Sequence, residues 1–585
     1  MRAHVLPICM VVSLAIANLV SCGGTSESAT GTITELVTEP IVWEIGKPGG
    51  KLTFTSISPP KSFNTITANE TSSSVVLGFI YNGLTEEDPV STEVAPCLAE
   101  SWDVSEDGLA YTFHLRKDVK WNDGQPLTAE DVEFTFNELI FNEDIRCASR
   151  DIFVIDGKKL KVTAVDKHTA RFELPTKFAP FLRSLGTSIL PKHSLKSLVD
   201  EGKFNHSLGV DAEPSSIIGT GPFVLDKYVT GQRVVLKRNP HYWKRDEKGG
   251  QLPYLNEVVI QIVQSQEVEV LRFKQKEIDY LGVRGVDYPN LAVGAKTGGY
   301  KLYLTGTTFG SQFLFFNQNT GNNKRGKPYV DPVKLKWFRN EQFRKAVAHA
   351  IDRKSMINSL MNGLGVPQWG PESPAATFFF NPDVPQHPYD IKKAKQILTD
   401  ADFKDRNGDG IVEDSEGNDV EFSLTTNTGN EVRIKMAEMI RKDMENLGFR
   451  VHFLPMQFNM LVSKLDSNYD WEAMILGLTG GPEPHFGRNV WHSTGHTHMW
   501  FPKQEKPSTD WEARIDQIFD QGVQELDPQK RKALYDEWQV IAATKLPFIY
   551  TVLPKRVEAI RNGLGNIHPT AYAGAMHDVD RIYWK

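Results

Sequence analysis

The chain has 585 residues, 40% of them hydrophobic and 24% charged, more than one small core can organise, so two or three domains are expected. Its formal net charge is -7 and no basic stripe stands out, which speaks against nucleic acid as a partner and for an ordinary soluble surface.

The first element is not ordinary. Arg2 precedes an apolar run over residues 5–20, short for a bilayer-spanning helix and suited to the core of a signal peptide. The run ends in Leu19-Val20-Ser21-Cys22, which resembles a bacterial lipoprotein box: small residues fit the peptidase, and the Cys22 thiol takes the lipid. Residues 1–21 are then signal and 22–45 a lipidated tether, rich in Gly, Ser and Thr at its start. The competing reading is a plain cleaved signal with an incidental cysteine. No later stretch is long and apolar enough to span a membrane as a helix. Of four cysteines, Cys9 leaves with the signal and Cys22 carries lipid. Cys97 and Cys147 remain, as a disulfide in an oxidising compartment or as two buried thiols.

Further on the pattern is mixed α and β. Residues 111–115 alternate as a half-buried strand, and the Asn122-Asp-Gly-Gln-Pro126 turn follows. Thr128 opens a helix with Asp131 as its capping-box partner and Val132, Phe136, Leu139 and Ile140 on one face. Residues 162–174 read as two strands around a turn near Asp166. Gly219 and Gly221 lack the Gly-Lys-Ser/Thr of a phosphate loop and predict a tight backbone crossing. Residues 233–238 form another strand. Helical faces follow at Phe343/Val347/Ala350/Ile351, at Ala394/Ile397/Leu398/Ala401 and at Ala437/Ile440/Met444/Leu447, the last capped by Gly448. Strands at 451–453 and 471–478 alternate with these, and helices at 511–522 and 527–543 close an α/β domain.

Several segments, in order, resemble extracellular solute-binding protein family 5, the oligopeptide-, dipeptide- and nickel-binding proteins of ABC importers. They are Leu98-Ala-Glu-Ser-Trp102, Thr112-Phe-His-Leu-Arg116, Lys120-Trp-Asn-Asp-Gly124, Thr128-Ala-Glu-Asp-Val132, Gly219-Thr-Gly-Pro-Phe223, Lys237-Arg-Asn-Pro-His-Tyr-Trp243, Glu277-Ile-Asp279, the 343–353 helix and Leu546-Pro-Phe-Ile-Tyr550. The resemblance implies an α/β, two-lobed periplasmic-binding-protein-like fold of the cluster C type with three domains. Domain I would hold residues 46–83, 206–312 and 550–585, domain II 84–205 and domain III 313–549, with a hinge near 310–317 and 548–554. It also implies a monomeric, non-enzymatic receptor at the cell envelope, in the periplasm or on the outer face of the cytoplasmic membrane. That receptor would close its lobes on a small ligand, expected to be a peptide, and pass it to permease subunits while anchored to the membrane through Cys22. No cofactor is required for that.

In peptide-binding relatives an Asp in a domain III loop pairs with the ligand's ammonium group. Aligned on Glu483-Pro484, this chain has Gly480 there, which leaves Glu483 as a substitute anion or a ligand without a free amine. Phe486, Arg488, Asn489, Trp491 and His492 follow and complete the candidate ligand-binding set, Arg488 for a carboxylate and Trp491 for an apolar side chain. The competing reading is a lobe surface with packed aromatics. His492, His496 and His498 suit a nickel-type ion, or a solvated loop. Asp405-Arg-Asn-Gly-Asp-Gly-Ile-Val-Glu-Asp-Ser-Glu416 fits a calcium loop, with Asp405, Asn407, Asp409, the Ile411 carbonyl, Glu413 and Glu416 as ligands for a structural Ca2+, although a strand rather than a helix follows. No nucleophile elbow, His-Glu-x-x-His or complete phosphate loop supports the alternative of a secreted hydrolase.

Overall fold

A computed structural model describes residues 36–155 and 157–585. The signal segment, Cys22 and the first part of the tether lie outside the described residues. Four larger sheets organise the rest. The first runs Lys51–Ser56, Glu257–Ile262, Arg233–Arg238, Phe223–Val229, parallel in its first pair and antiparallel after it. The second places Val552–Arg561 between Tyr280–Gly282 and Tyr300–Thr307. These two sheets form one lobe from widely separated stretches of chain. The third sheet, of the other lobe, runs Arg450–Phe453, Glu421–Thr425, Ala473–Leu478, Ser311–Phe316, Phe548–Tyr550. The fourth, antiparallel, is Ala99–Val104, Ala110–Leu115, Thr169–Glu173, Lys161–Asp166. The two-lobed α/β architecture is the expected one.

Local chemistry accounts for the elements. Thr128 and Asp131 close the expected capping box, and the Thr128 N–H donates to the Asp131 carboxylate across 2.8 Å. The helix is not uniform: after Ala129–Phe134 it widens into a π turn at Thr135–Ile140, which still delivers Phe136, Leu139 and Ile140 to the core fully buried. Thr135 anchors the junction, its hydroxyl donating to the Asp131 carbonyl at 2.7 Å and accepting the Leu190 N–H at 2.9 Å. Gly219 and Gly221 make the predicted crossing. A Cβ at Gly219 would sit 2.1 Å from the Ile80 carbonyl oxygen, and the Gly221 N–H donates to that oxygen at 2.7 Å. In the second lobe the period of two along Ser311–Phe316 sends Leu314 and Phe316 to one face and Phe313 and Phe315 to the other. Helices Glu341–Ala350, Ile391–Asp400 and Glu431–Glu445 cover the first face, and Asp510–Gly522 with Pro528–Lys545 cover the second. Asn446, not Gly448, caps Glu431–Glu445; Gly448 serves two residues later, at φ +93, in the turn to the next strand.

Two chain segments pass between the lobes, residues 308–310 and Thr551. The strands before and after them pair within each lobe, Tyr300–Thr307 with Val552–Arg561 on one side and Ser311–Phe316 with Phe548–Tyr550 on the other. Thr551 fastens them, its N–H and hydroxyl both donating to the Gln312 carbonyl at 2.9 and 2.8 Å.

Two expectations are corrected. The tether does not extend to residue 45: the Val37 N–H donates to the Pro569 carbonyl at 2.8 Å, Asn566 and Glu44 exchange two hydrogen bonds, and Trp43 meets His568 edge-on at 5.0 Å. The strap is therefore part of the first lobe. Cys97 and Cys147 are free thiols. Cys97 is buried beside Glu86 and Lys244, whereas the Cys147 sulfur faces the Ser149 hydroxyl at 3.2 Å. Among the described residues no helix is long and apolar enough to cross a membrane.

Three buried imidazoles share one arrangement. His485 donates from Nε2 to the Ile152 carbonyl (3.0 Å), His387 from Nε2 to Ala543 (2.8 Å) and His498 from Nδ1 to Val490 (2.9 Å), and the second ring nitrogen of each has no hydrogen-bond partner. A proton there would bury a charge, so burial pushes His485 down to about 3 and His387 and His498 to about 4. Unfolded histidine titrates near ~6.5, so between that value and about 4 the unfolded chain takes up protons that the native state refuses, and stability falls as pH falls. The three together contribute a loss of about 4 kcal/mol per pH unit in the window where the unfolded histidines are protonated and the native ones are not. Urea midpoints at a series of pH values should show it, with a shallower acid slope in His387→Gln; equal slopes in variant and wild type would contradict the assignment.

Candidate functional site: a cavity between the lobes

A cavity of about 670 Å³ lies where the lobes meet. The first lobe supplies the end of strand Lys51–Ser56, residues 57–58, Phe79 and Tyr280. The second supplies Asn427, Asn430 and Arg433, an apolar patch including Phe458 and Tyr469, the end of strand Ala473–Leu478, and the 496–499 loop. Loops that follow strand ends recur in this wall, as expected for an α/β sheet.

Each lobe also presents backbone. Strand Lys51–Ser56 is the edge of its sheet. Its outer side at Thr53 is closed by Asp279, which accepts the Thr53 N–H and donates its own N–H to the Thr53 carbonyl, both at 2.7 Å, and Thr55 and Ser56 continue into the cavity wall. Across the cavity, strand Ala473–Leu478 pairs with Glu421–Thr425 only at Ala473 and Met474. Beyond that point, among the described residues, Gly477 and Leu478 have a strand partner only on the Ser311–Phe316 side. Two strand edges thus border one cavity, each with N–H and C=O groups to offer.

Charge in the wall is unevenly compensated. Asp466 meets Lys61 of the opposite lobe at 3.2 Å. Glu70, 6% exposed, accepts the Ser73 hydroxyl and the Lys61 and Asn69 N–H groups. Among the described residues Arg433 has two neutral amides as its side-chain partners, Nε donating to Gln312 at 3.2 Å and Nη1 to Asn427 at 2.7 Å, and burial pulls its guanidinium down to about 10.

The family model of bacterial extracellular solute-binding proteins, family 5 (middle region), matches residues 93–498. The chain belongs to this family. It is 28% identical over 539 residues to a probable ABC transporter-binding protein of Deinococcus radiodurans, covering 87% of this chain and 89% of that one. Among solved structures, the oligopeptide-binding protein AppA of Bacillus subtilis, in complex with a nonapeptide, superposes with a TM-score of 0.79 at 25% identity, over 92% of this chain and all of AppA. MelB of Agrobacterium fabrum, in complex with stachyose, superposes with a TM-score of 0.81 at 22% identity over 93% of this chain and 86% of its own, a likeness of fold.

In this family 5 protein the residues singled out from the sequence stand away from the cavity, and none of the six is in its wall. Glu483 is a buried partner of Arg531, Oε2 to Nη1 2.9 Å, and caps the short turn that follows it. Arg488 is 6% exposed and pairs with Asp520 at 3.0 Å. Trp491 packs among Trp500, Trp538 and Phe548. His492 lies 3.9 Å from Asp516 and 3.7 Å from Asp520. Asn489 accepts the Thr497 N–H at 2.9 Å and holds the loop. Phe486 borders a separate recess of about 510 Å³ with Arg183 and Cys97. Of the histidines, His496 and His498 do reach the cavity wall.

The 405–416 loop does not gather its oxygens. Asp405 accepts the Gly408 and Gly410 N–H groups (2.7 and 2.9 Å), Asn407 that of Asp409 and Asp409 that of Ile411 (both 2.8 Å). Glu413 turns inward to the Arg406 N–H at 2.7 Å, and Glu416 turns outward to Lys336 at 2.6 Å. Among the described residues no group of three or more His, Cys, Asp or Glu side chains is placed to hold a metal ion. The loop is a run of Asx turns.

Gly480, aligned with the ammonium-binding Asp, sits against the interlobe crossing: a Cβ there would be 2.1 Å from the Phe309 carbonyl oxygen. No side chain fits at that position. The signal that could have located the true wall is the polar Thr425-Thr-Asn-Thr-Gly-Asn430 run, which leaves a buried strand and opens a helix.

Proposed function

We propose that this chain is the extracytoplasmic receptor of an ABC importer, that its ligand is a short peptide held between the lobes, and that it binds without turnover. The observation that carries the peptide reading is the pair of strand edges facing one cavity. An extended backbone satisfies such edges on both sides whatever its side chains, which gives affinity without sequence specificity. Its relatives agree: one is a probable ABC transporter-binding protein, and AppA holds a nonapeptide. A ligand touching both lobes favours the closed arrangement, and motion at residues 308–310 and Thr551 provides it. Cys22, at the end of the apolar leader, is the proposed lipid attachment that keeps the receptor beside its permease and raises its effective concentration there.

The test is native mass spectrometry of the mature chain lacking Cys22, followed by thermal unfolding with pooled short peptides. Retained peptides should appear as a ladder of mass increments. Added peptide at a hundredfold its Kd should stabilise by about 2.7 kcal/mol. A single retained oligosaccharide mass, together with no stabilisation by any peptide pool, would sink the peptide reading.

A further inference from the structure

We infer that helix Arg150–Phe153 and residues 176–179 form a latch that the second lobe enters only on closing, and that His485, gripped by both, makes the latch sensitive to protons. The closed form then weakens as pH falls. The inference rests on lobe motion and not on the peptide reading.

The latch travels with the first lobe. Phe113, Leu115 and Phe172 of the fourth sheet share one continuous core with Leu52, Leu236 and Ile260 of the first. From this unit contacts run to the second lobe. The Ala179 N–H donates to the Val523 carbonyl at 2.7 Å, and the Thr176 hydroxyl donates to Gln524 Oε1 at 2.9 Å. Asp151 accepts the His496 N–H at 2.7 Å. His485 donates from Nε2 to the Ile152 carbonyl at 3.0 Å, and its ring meets that of Phe178 edge-on at 5.5 Å. Val523 is the tooth. It ends helix Asp510–Gly522 yet packs in the first lobe's core, while Ile515, Ile518 and Phe519 of the same helix pack in the second's. These contacts join parts of the chain that are otherwise connected through the crossings at 308–310 and Thr551. Opening at those crossings therefore draws them apart.

With the latch engaged His485 is 0% exposed, and its Nδ1 has no hydrogen-bond partner. The charged groups around it are mostly engaged elsewhere. On its own turn Glu483 accepts the His485 N–H at 2.9 Å and pairs with Arg531 of helix Pro528–Lys545. Arg488 pairs with Asp520 of helix Asp510–Gly522. From the latch side come Arg150, which donates to the carbonyls of Ile140, Asn142 and Ile145, Asp151, which holds His496, and the exposed Lys177. Burial, with Arg488 and Arg531 nearby, keeps the His485 ring neutral down to about 3. Withdrawal of Ile152 and Phe178 opens the ring to water, where a histidine titrates near ~6.5. Below that value the open form takes a proton that the closed form refuses, and closure weakens by about tenfold per pH unit. The acid slope given above for His485 therefore belongs to the closed form. A second pair between the lobes has the opposite sign: burial and Glu267 of the first lobe hold the Glu431 carboxyl up, so closing favours a proton there.

The experiment is calorimetric titration of the mature protein with a pool of four- to nine-residue peptides, between about pH 7.5 and about pH 5, on wild type, His485→Gln and Val523→Ala. Glutamine keeps an N–H for the Ile152 carbonyl and takes no proton. The ratio of wild-type to His485→Gln affinity cancels every other titrating group, Glu267 and Glu431 included. That ratio should fall by about 30-fold across the range. Val523→Ala should bind about tenfold more weakly at both ends and keep the wild-type pH slope. Unfolding midpoints at the acid end confirm that all three proteins are folded there. A ratio that stays flat with pH overturns the inference and leaves the peptide reading standing. Where no peptide binds, the same proteins carry one dye on each lobe and are followed by single-molecule energy transfer. A closed population that wild type loses on acidification and His485→Gln keeps upholds the latch while the peptide reading falls. A population that responds to pH alike in both proteins, or in neither, overturns the latch too.

Discussion

Gly480→Asp should unfold at a markedly lower denaturant concentration than wild type and should gain no affinity for amines. The Cβ would enter within 2.1 Å of the Phe309 carbonyl oxygen, which is backbone and cannot rotate aside. Phe309 belongs to one of the two segments that cross between the lobes, and its neighbour Thr308 donates to the Pro554 carbonyl at 3.2 Å, so relief by displacement would also pull on the strand that follows the other crossing at Thr551. Overpacking of this kind costs about 3 kcal/mol. Chemical denaturation and a titration with an amine-bearing peptide check the two halves of the expectation. A variant as stable as wild type that also binds more tightly would show that the loop at 479–481 does not lie against the crossing segment.

Glu483→Ala should be among the most damaging single changes in the second lobe, costing about 3–5 kcal/mol, and should leave ligand affinity in the surviving folded protein unaltered. The cost comes from what is left behind. Arg531 is 7% exposed, donates from both terminal nitrogens to Glu483, and lies over the rings of Phe379 and Tyr535 at 5.3 Å each. Without the carboxylate its charge stays buried, with Nε still donating to the Gly522 carbonyl. Arg531→Met in the same background should recover part of the loss, because the unpaired buried charge is removed while the space left by the Glu483 side chain remains. A double-mutant cycle by urea denaturation measures the coupling, and additive effects of the two changes would count against a direct pair. Glu372 adds a further sign: burial, with Glu483 nearby, holds its carboxyl up at about 8.

The fold was legible and the site was not, for a physical reason. Strands and helices announce themselves locally: the alternation at Phe113 and Leu115, the Thr128–Asp131 box and the glycines that pass under Ile80 need no knowledge of distant chain. The ordered resemblance then supplied the arrangement of lobes. The cavity wall is assembled from residues around 55, 79, 280, 430, 460, 477 and 497, which meet only in the folded molecule. The 483–492 segment drew attention because it concentrates charge and aromatic surface. Its partners, Arg531, Asp520 and Trp538, lie on helices forty or so residues on, and they turn each of those features to packing. In the same way the acids of the 405–416 loop match a metal-binding order in sequence but spend their oxygens on their own backbone.

The placement of Val552–Arg561 has a consequence for how the molecule is made. That strand is the middle one of its sheet, hydrogen-bonded to Tyr280–Gly282 on one side and Tyr300–Thr307 on the other, yet it is synthesised roughly 250 residues after both. The intervening stretch is the whole second lobe, closed by Phe548–Tyr550 just before the crossing. Emerging in order, the second lobe has its core in hand while two strands of the first still wait with bare edges for their shared neighbour. Contacts of such separation form slowly. The first lobe is therefore the last to be completed, and until then it is the part most exposed to wrong pairing.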